Sequence, residues 1–346
     1  MALTISLFHR PGGVLFLDDD TDYLEMLGMV IPAHWQVELY SRPSGFATRM
    51  QNEPARWEAD AMAQLQMIER WRQGQPLLPQ VLRYWAINAS RYELAQTCVV
   101  DYAMPGTDGL KVLNTLLDWP GSRVLLTGQA DEQIAIQAFN NGLIDQFVPK
   151  QTTDITRHLL GVLRKLAQTP HPRLNTLWRA ALRPAQQSML QIPSVAKALR
   201  AYTEQHWVEY VVLGEPFGLV GLDALGNCHW LQLESTSSLP DLAELAGSAG
   251  LGFDAVRSVR AGQRLAAVEL HQQMGLSGPV RTAQAFPVGD DGVLVGAVFT
   301  LQPADLPQPI YAYRHFLEAQ GARGLCHVAD GVSWLDAKDE VSVSRS

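Results

Sequence analysis

The chain has 346 residues, a net charge of −8 and a sequence pI near 5.6, with 47% hydrophobic and 18% charged residues. That composition belongs to folded, core-bearing protein, the length suggests two domains, and the acidity argues against a nucleic-acid-binding surface over the whole molecule. Three scattered cysteines (Cys98, Cys228, Cys326) exclude a disulfide framework, and the lack of an 18-residue apolar run or a basic-then-apolar leader points to a cytoplasmic protein without a membrane partner.

GVLFLDDD (13–20) is an apolar run ending in acids, as a strand covered on both faces of a parallel sheet would read. Helix-like TDYLEMLGMV follows, then strand-like QVELY (36–40). Two helical patterns come next. Trp57, Ala61, Leu65 and Ile68 recur every three or four residues, GQP (74–76) supplies a stop, and Leu78, Leu82, Trp85, Ala89 and Tyr92 recur likewise. The spacing predicts a helical hairpin over 50–94, inserted before the central strand and packed on the domain that surrounds it in sequence. CVVD (98–101) is a strand that stops at an acid, and RVLLTG (123–128) is one that stops at a hydroxyl. DEQIAIQAFNNG (131–142) reads as a helix with Gly142 beyond its end, and LIDQFVPK (143–150) as a short strand ending in a lysine. DITRHLLGVLRKLAQ is an amphipathic helix. This alternation predicts an α/β fold with a doubly wound, five-stranded parallel sheet.

Beyond TPHPR, LNTLWRAALR and PSVAKALRAYTEQ are helical in pattern. WVEYVVLGEPFGLVGLDALGNCHWLQLE (207–234) reads as strands joined by Gly-Pro and Gly-Asn turns. Helices are expected at 240–247 and 253–274, and a hairpin at 280–301. The expected division is a first domain over 1–167, a linker with a helix over 168–190, an α+β domain over 191–336 and a flexible tail over 337–346.

Four predicted strand ends carry Asp18 and Asp19, Asp101, Thr127 and Lys150. Parallel strands place their carboxyl ends at one edge of a sheet, where ligands of open α/β folds bind, so these side chains can converge. Three carboxylates brought together repel, which favours a hard divalent cation with oxygen ligands, and Mg²⁺ fits. A carboxylate can also act as nucleophile and become an aspartyl phosphate. The Thr127 hydroxyl and the Lys150 ammonium would then share the charge of the transferred group.

These residues resemble the receiver domain of two-component response regulators over roughly 13–167. LDDD matches the family's acidic pair, DYAMPGTDG its phosphoacceptor turn, LLTG its switch threonine, and FVPK its switch aromatic and lysine. The resemblance implies phosphorylation of Asp101 by a sensor histidine kinase. It implies a Mg²⁺ ion held by Asp19, Asp101 and the backbone carbonyl of Ala103, with Asp18 acting through water. It assigns Thr127 and Lys150 to catalysis and Thr127 and Phe147 to the switch. The face over 131–166 is the one such domains use for dimerisation or partner docking. Two features depart from the pattern: Gln151 stands where the family places a proline after the lysine, often in cis, and the stretch between Asp19 and Asp101 is about twice the usual length.

Residues 191–336 carry no cyclase, phosphodiesterase or P-loop motif. GLVGLDALGN resembles the opening strands of PAS-like sensor domains, and joining a receiver to an unusual output half is similar to Legionella-type quorum-sensing regulators. Three readings stay open. The half is a binding or dimerisation module, for a small ligand or nucleotide; or a DNA-binding output through 253–264 with Arg257, Arg260 and Arg264; or an enzyme using Glu209, Glu215, Asp223 and His229. The first is preferred, so the expectation is a non-enzymatic regulator that forms a homodimer on phosphorylation and does not bind nucleic acid.

Overall fold

The computed structural model describes residues 5–128 and 132–322, so Asp131, Cys326 and the 337–346 tail lie outside the described residues. The chain divides into two compact units. Of the described residues, one unit takes 11–61, 90–169 and 315–322, and the other takes 5–10, 62–89 and 170–314.

The first unit is built on a five-stranded parallel sheet. Its elements in chain order are β1 (Gly13–Leu17), α1 (Thr21–Val30), β2 (Val37–Tyr40), α2 (Pro43–Met50), β3 (Ala95–Asp101), α3 (Gly109–Asn114), β4 (Ser122–Thr127), α4 (Glu132–Asn140), β5 (Gln146–Pro149) and α5 (Ile155–Ala167). The strand order is β2-β1-β3-β4-β5. Register runs Leu15 to Cys98, Val100 to Leu125 and Leu126 to Val148. The apolar runs are continuous because both faces of these strands are covered: Leu15, Val99, Val100, Val124 and Leu125 are all fully buried. One face packs Phe16, Val99, Val124, Leu126 and Val148 against Leu24 and Leu27 of α1 and Leu159 and Leu163 of α5. The α/β sheet expected from the alternation is the one observed. α2 is an addition: Pro43 stands in its first turn, and Phe46 and Met50, one turn apart, are buried.

The inserted helices span Glu53–Arg72 and Leu77–Ile87, with Gly74 at φ +94° between them. The second ends earlier than its stripe suggests, since Tyr92 lies in a short 3₁₀ turn, Ala89–Glu93. Packing of the whole hairpin on the receiver-like unit is corrected by the division of the chain, which falls between Ala61 and Met62. In the first unit, Glu53 accepts from the Ala95 amide at 2.9 Å and Trp57 Nε1 donates to the Ala95 carbonyl at 2.9 Å. In the second, Trp178 Nε1 donates to Gln64 Oε1 at 2.7 Å, and Arg10 Nη1 donates to the Tyr84 hydroxyl at 3.0 Å.

The second unit carries a six-stranded antiparallel sheet in the order Phe8–His9, Glu209–Gly214, Phe217–Leu222, Cys228–Ser235, Leu294–Leu301, Phe286–Pro287. Phe8 pairs with Val211 and His9 with Tyr210, so Phe8–His9 belong to this sheet, and the compact units do not follow the expected 1–167 boundary. The helix expected over 253–274 is interrupted. Helix Phe253–Arg260 stops before Gly262, at φ +68°, strand Arg264–Ala266 pairs with Thr282–Gln284, and a separate helix spans Val268–Met274. The expected 280–301 hairpin is likewise split: Leu294–Leu301 pairs with Phe286–Pro287, while Thr282–Gln284 joins the smaller sheet.

Candidate functional site

Asp18, Asp19, Asp101, Thr127 and Lys150 stand where their strands stop. Asp18 follows β1, and its amide donates to the Tyr40 carbonyl at 3.1 Å, extending the ladder one step. The chain then turns under local control. The Asp20 amide donates to Asp18 Oδ1 at 3.0 Å, and Asp20 Oδ1 accepts from the Tyr23 amide at 3.0 Å as the N-cap of α1. The turn buries Asp18 and leaves Asp19 exposed.

Asp101 ends β3 and is buried, with Oδ2 accepting from the Ala103 amide at 3.1 Å. The Met-Pro-Gly stretch folds back on itself, pairing Ala103 with Asp108 and Met104 with Thr107 around Gly106 at φ +80°. Gly109 closes this loop. Its amide donates to the Tyr102 carbonyl at 2.9 Å, and a Cβ there would sit 2.2 Å from the Asp101 carbonyl oxygen. An apolar strand thus ends in an acid because the acid faces a pocket of its own kind, and the glycines let the chain leave tightly.

Lys150 follows β5, anchored by its amide to the Thr127 carbonyl at 2.8 Å. Its Nζ lies 2.7 Å from Asp18 Oδ2 and 2.8 Å from Asp101 Oδ1, bridging the two buried acids. Carboxylate oxygens of Asp18, Asp19 and Asp101 all fall within 4.8 Å of one another. Burial pushes the Asp18 carboxyl up to about 6, against the pull of Lys150 and with the added repulsion of Asp101. Burial also works against the Lys150 ammonium, but its two acid partners outweigh it and hold its pKa above the ordinary range. Three oxygen donors against one ammonium leave an excess of negative charge, so these side chains fit a hard divalent cation such as Mg²⁺.

Thr127 ends β4, fully buried, and its Oγ1 has no hydrogen-bond partner. A buried hydroxyl without a partner beside an acid–ammonium cluster is a donor available to an incoming oxygen. Phe147 is half-buried in β5, in register with Leu125, and Ala103 is exposed beside the acids. Among the described residues the only cis peptide bond is Glu215–Pro216, so the bond from Lys150 to Gln151 is trans.

Tyr23 was not among the sequence candidates. Its ring centre lies 5.0 Å from Lys150 Nζ, and its hydroxyl is buried without a partner, pushed up to about 12 by burial. The signal for it is Asp20, a helix N-cap three residues earlier, which fixes the side of α1 on which Tyr23 stands.

The candidates of the second unit do not gather into a comparable site. Glu209 is buried in its strand, Glu215 pairs with Arg183, and Asp223 accepts from the amides of Leu225 and Asn227 in its own turn. His229 is half-buried, its pKa lowered by burial. The three arginines are divided as well: Arg257 pairs with Asp254, Arg260 with Glu244, and Arg264 lies on a strand bonded to Thr282.

No protein-family profile matches the chain, and neither does any curated protein. Among solved structures, the Legionella pneumophila response regulator LqsR matches with a TM-score of 0.66 at 21% identity, over 92% of this chain and 97% of that one. The chain carries the fold of LqsR. Receiver domains also match in part: that of a Bacteroides fragilis two-component response regulator (TM-score 0.32, 18% identity, 46% of this chain and 99% of that one) and the BeF3-activated receiver domain of DrrB (0.30, 14%, 46% and 100%).

Proposed function

We propose that the chain is a phosphorylation-dependent response regulator, in which Asp101 accepts a phosphoryl group from a sensor histidine kinase and the change of state alters association of a non-enzymatic C-terminal module. The observation that carries this reading is the bridge from Lys150 to Asp18 and Asp101, beside the unpartnered Thr127 hydroxyl. A carboxylate oxygen of Asp101 attacks phosphorus, the P–N bond to the donor imidazole breaks, and the imidazole leaves with the electron pair and takes up a proton. Lys150 holds Asp101 in place and faces the growing charge, and Thr127 donates to a phosphoryl oxygen. Mg²⁺ would be held by Asp19, Asp101 and the backbone carbonyl of Ala103, with Asp18 acting through water, and would supply charge neutralisation when bound.

Incubation with phosphoramidate and Mg²⁺ should add one phosphoryl group, and Asp101→Asn should abolish the addition. Labelling that persists in that variant would show the assignment to be wrong.

The binding-module reading of the second unit is supported by the scatter of its acids and bases and by the short, ion-paired arginine helix. The docking face is supported by α4, whose Ile134, Ile136 and Phe139 are 38%, 46% and 46% exposed. A difference of about 1–3 kcal/mol between the two states would change dimer affinity roughly 5–150-fold. Sedimentation with and without beryllofluoride should therefore give different mass distributions. Identical ones would remove the homodimer from this proposal.

A further inference from the structure

Lys150 has a third neighbour besides its two acids. Its Nζ is 2.7 Å from Asp18 Oδ2, 2.8 Å from Asp101 Oδ1 and 5.0 Å from the centre of the Tyr23 ring. The acid contacts are claimed by others during the proposed reaction: an oxygen of Asp101 forms the bond to phosphorus, and a hard cation competes for oxygens of Asp18. A neutral π face has no such competitor, and it attracts an ammonium most where water is scarce. We infer that Tyr23 is a positioning residue for Lys150, its ring holding the ammonium in place while the acids change partners. The inference rests on the reading of Asp101 as phosphoacceptor.

The position of the ring is set by its backbone. Asp20 accepts the Tyr23 amide and starts α1 in a fixed phase, and the neighbouring Leu24 and Leu27 are buried in the core. The Tyr23 hydroxyl makes no hydrogen bond, so it does not tether the ring elsewhere. The ring is what faces Lys150, and a phenylalanine would present the same face.

The test uses the full chain with Tyr23→Phe and Tyr23→Leu. Labelling by phosphoramidate in Mg²⁺ should proceed at the wild-type rate in the phenylalanine variant and about 2–30-fold more slowly in the leucine variant. A second readout does not need phosphorylation. In the unlabelled protein, and in an Asp101→Asn background, the ring current of Tyr23 should displace the NMR resonances of the Lys150 ε-methylene; the displacement should remain with phenylalanine and vanish with leucine. Should the leucine variant not fold, the resonance in the wild type and the phenylalanine variant decides. Wild-type speed with leucine, equal slowing in both variants, or an undisplaced methylene would each overturn the inference. Labelling that survives Asp101→Asn would instead strike the phosphoacceptor reading, with the resonance still deciding the contact.

Discussion

Asp18 is held at a cost in the absence of a cation. An unfolded aspartate titrates near 3.8, and burial pushes Asp18 up to about 6. Between these values the folded chain keeps a proton that the unfolded chain has lost. Stability from this group is therefore present at low pH and is lost as pH rises through about 6. At neutral pH the ionised acid costs up to about 3 kcal/mol. Asp18→Asn should raise metal-free stability at pH 7.5 by about 1–3 kcal/mol and weaken the stabilisation by Mg²⁺, whereas Asp19→Ala should remove most of it, read by urea titration with and without the ion. A less stable Asp18→Asn variant would mean that the ion pair with Lys150 outweighs burial. The two turn glycines separate space from conformation. Gly109→Ala would press a Cβ onto the Asp101 carbonyl and should cost more than 2 kcal/mol along with the phosphorylation rate, whereas Gly106→Ala meets nothing within 4 Å and should cost about 1–2 kcal/mol for its positive φ alone. Urea midpoints of the two variants test the ranking. At this scale the acids, Thr127 and Lys150 were legible because each ends an apolar run. Tyr23 was not, because an aromatic in an amphipathic helix reads as core until its phase is known.

The helix Glu53–Arg72 shows what an insertion does to the sheet that receives it. Ala95 opens the strand that ends in Asp101, and its amide and carbonyl are both satisfied by side chains from the start of this helix. Glu53, fully buried, also pairs with Arg49 and Arg56. Glu53→Gln removes one carboxylate from two arginines that keep Glu38 and Glu93 as partners and should cost about 1–3 kcal/mol, while Trp57→Phe removes the side-chain donor to the Ala95 carbonyl and should cost about 1–2 kcal/mol. Faster exchange of the Ala95 amide in the Glu53 variant would locate the loss; unchanged exchange would place the effect elsewhere. The long stripes of this hairpin were readable, since each buries a residue every turn. Elements of two or three residues were not. Phe8–His9 and Arg264–Ala266 are too short for a period-two pattern and form because a partner strand is present. The same shortness let the apolar residues of 253–274 read as one helix.

At the scale of the molecule, sequence order and compact units do not coincide. A chain ending at residue 167 would keep Leu7, Phe8 and Gln64 without their partners Asn175, Val211 and Trp178, all within the second unit. Such a fragment should bind a hydrophobic dye and melt without a cooperative transition, in contrast to the full chain. A sharp transition in the fragment would show that the parallel sheet folds without those residues. The composition alone does not show this, because a contact between residues far apart in sequence leaves no local mark. The chain passes from one unit to the other five times, after residues 10, 61, 89, 169 and 314. A sensor half joined to its effector by one linker can be exchanged by a single recombination between genes. Here no single crossover delivers either unit whole, so exchanging one unit for another would take several simultaneous joins within one gene.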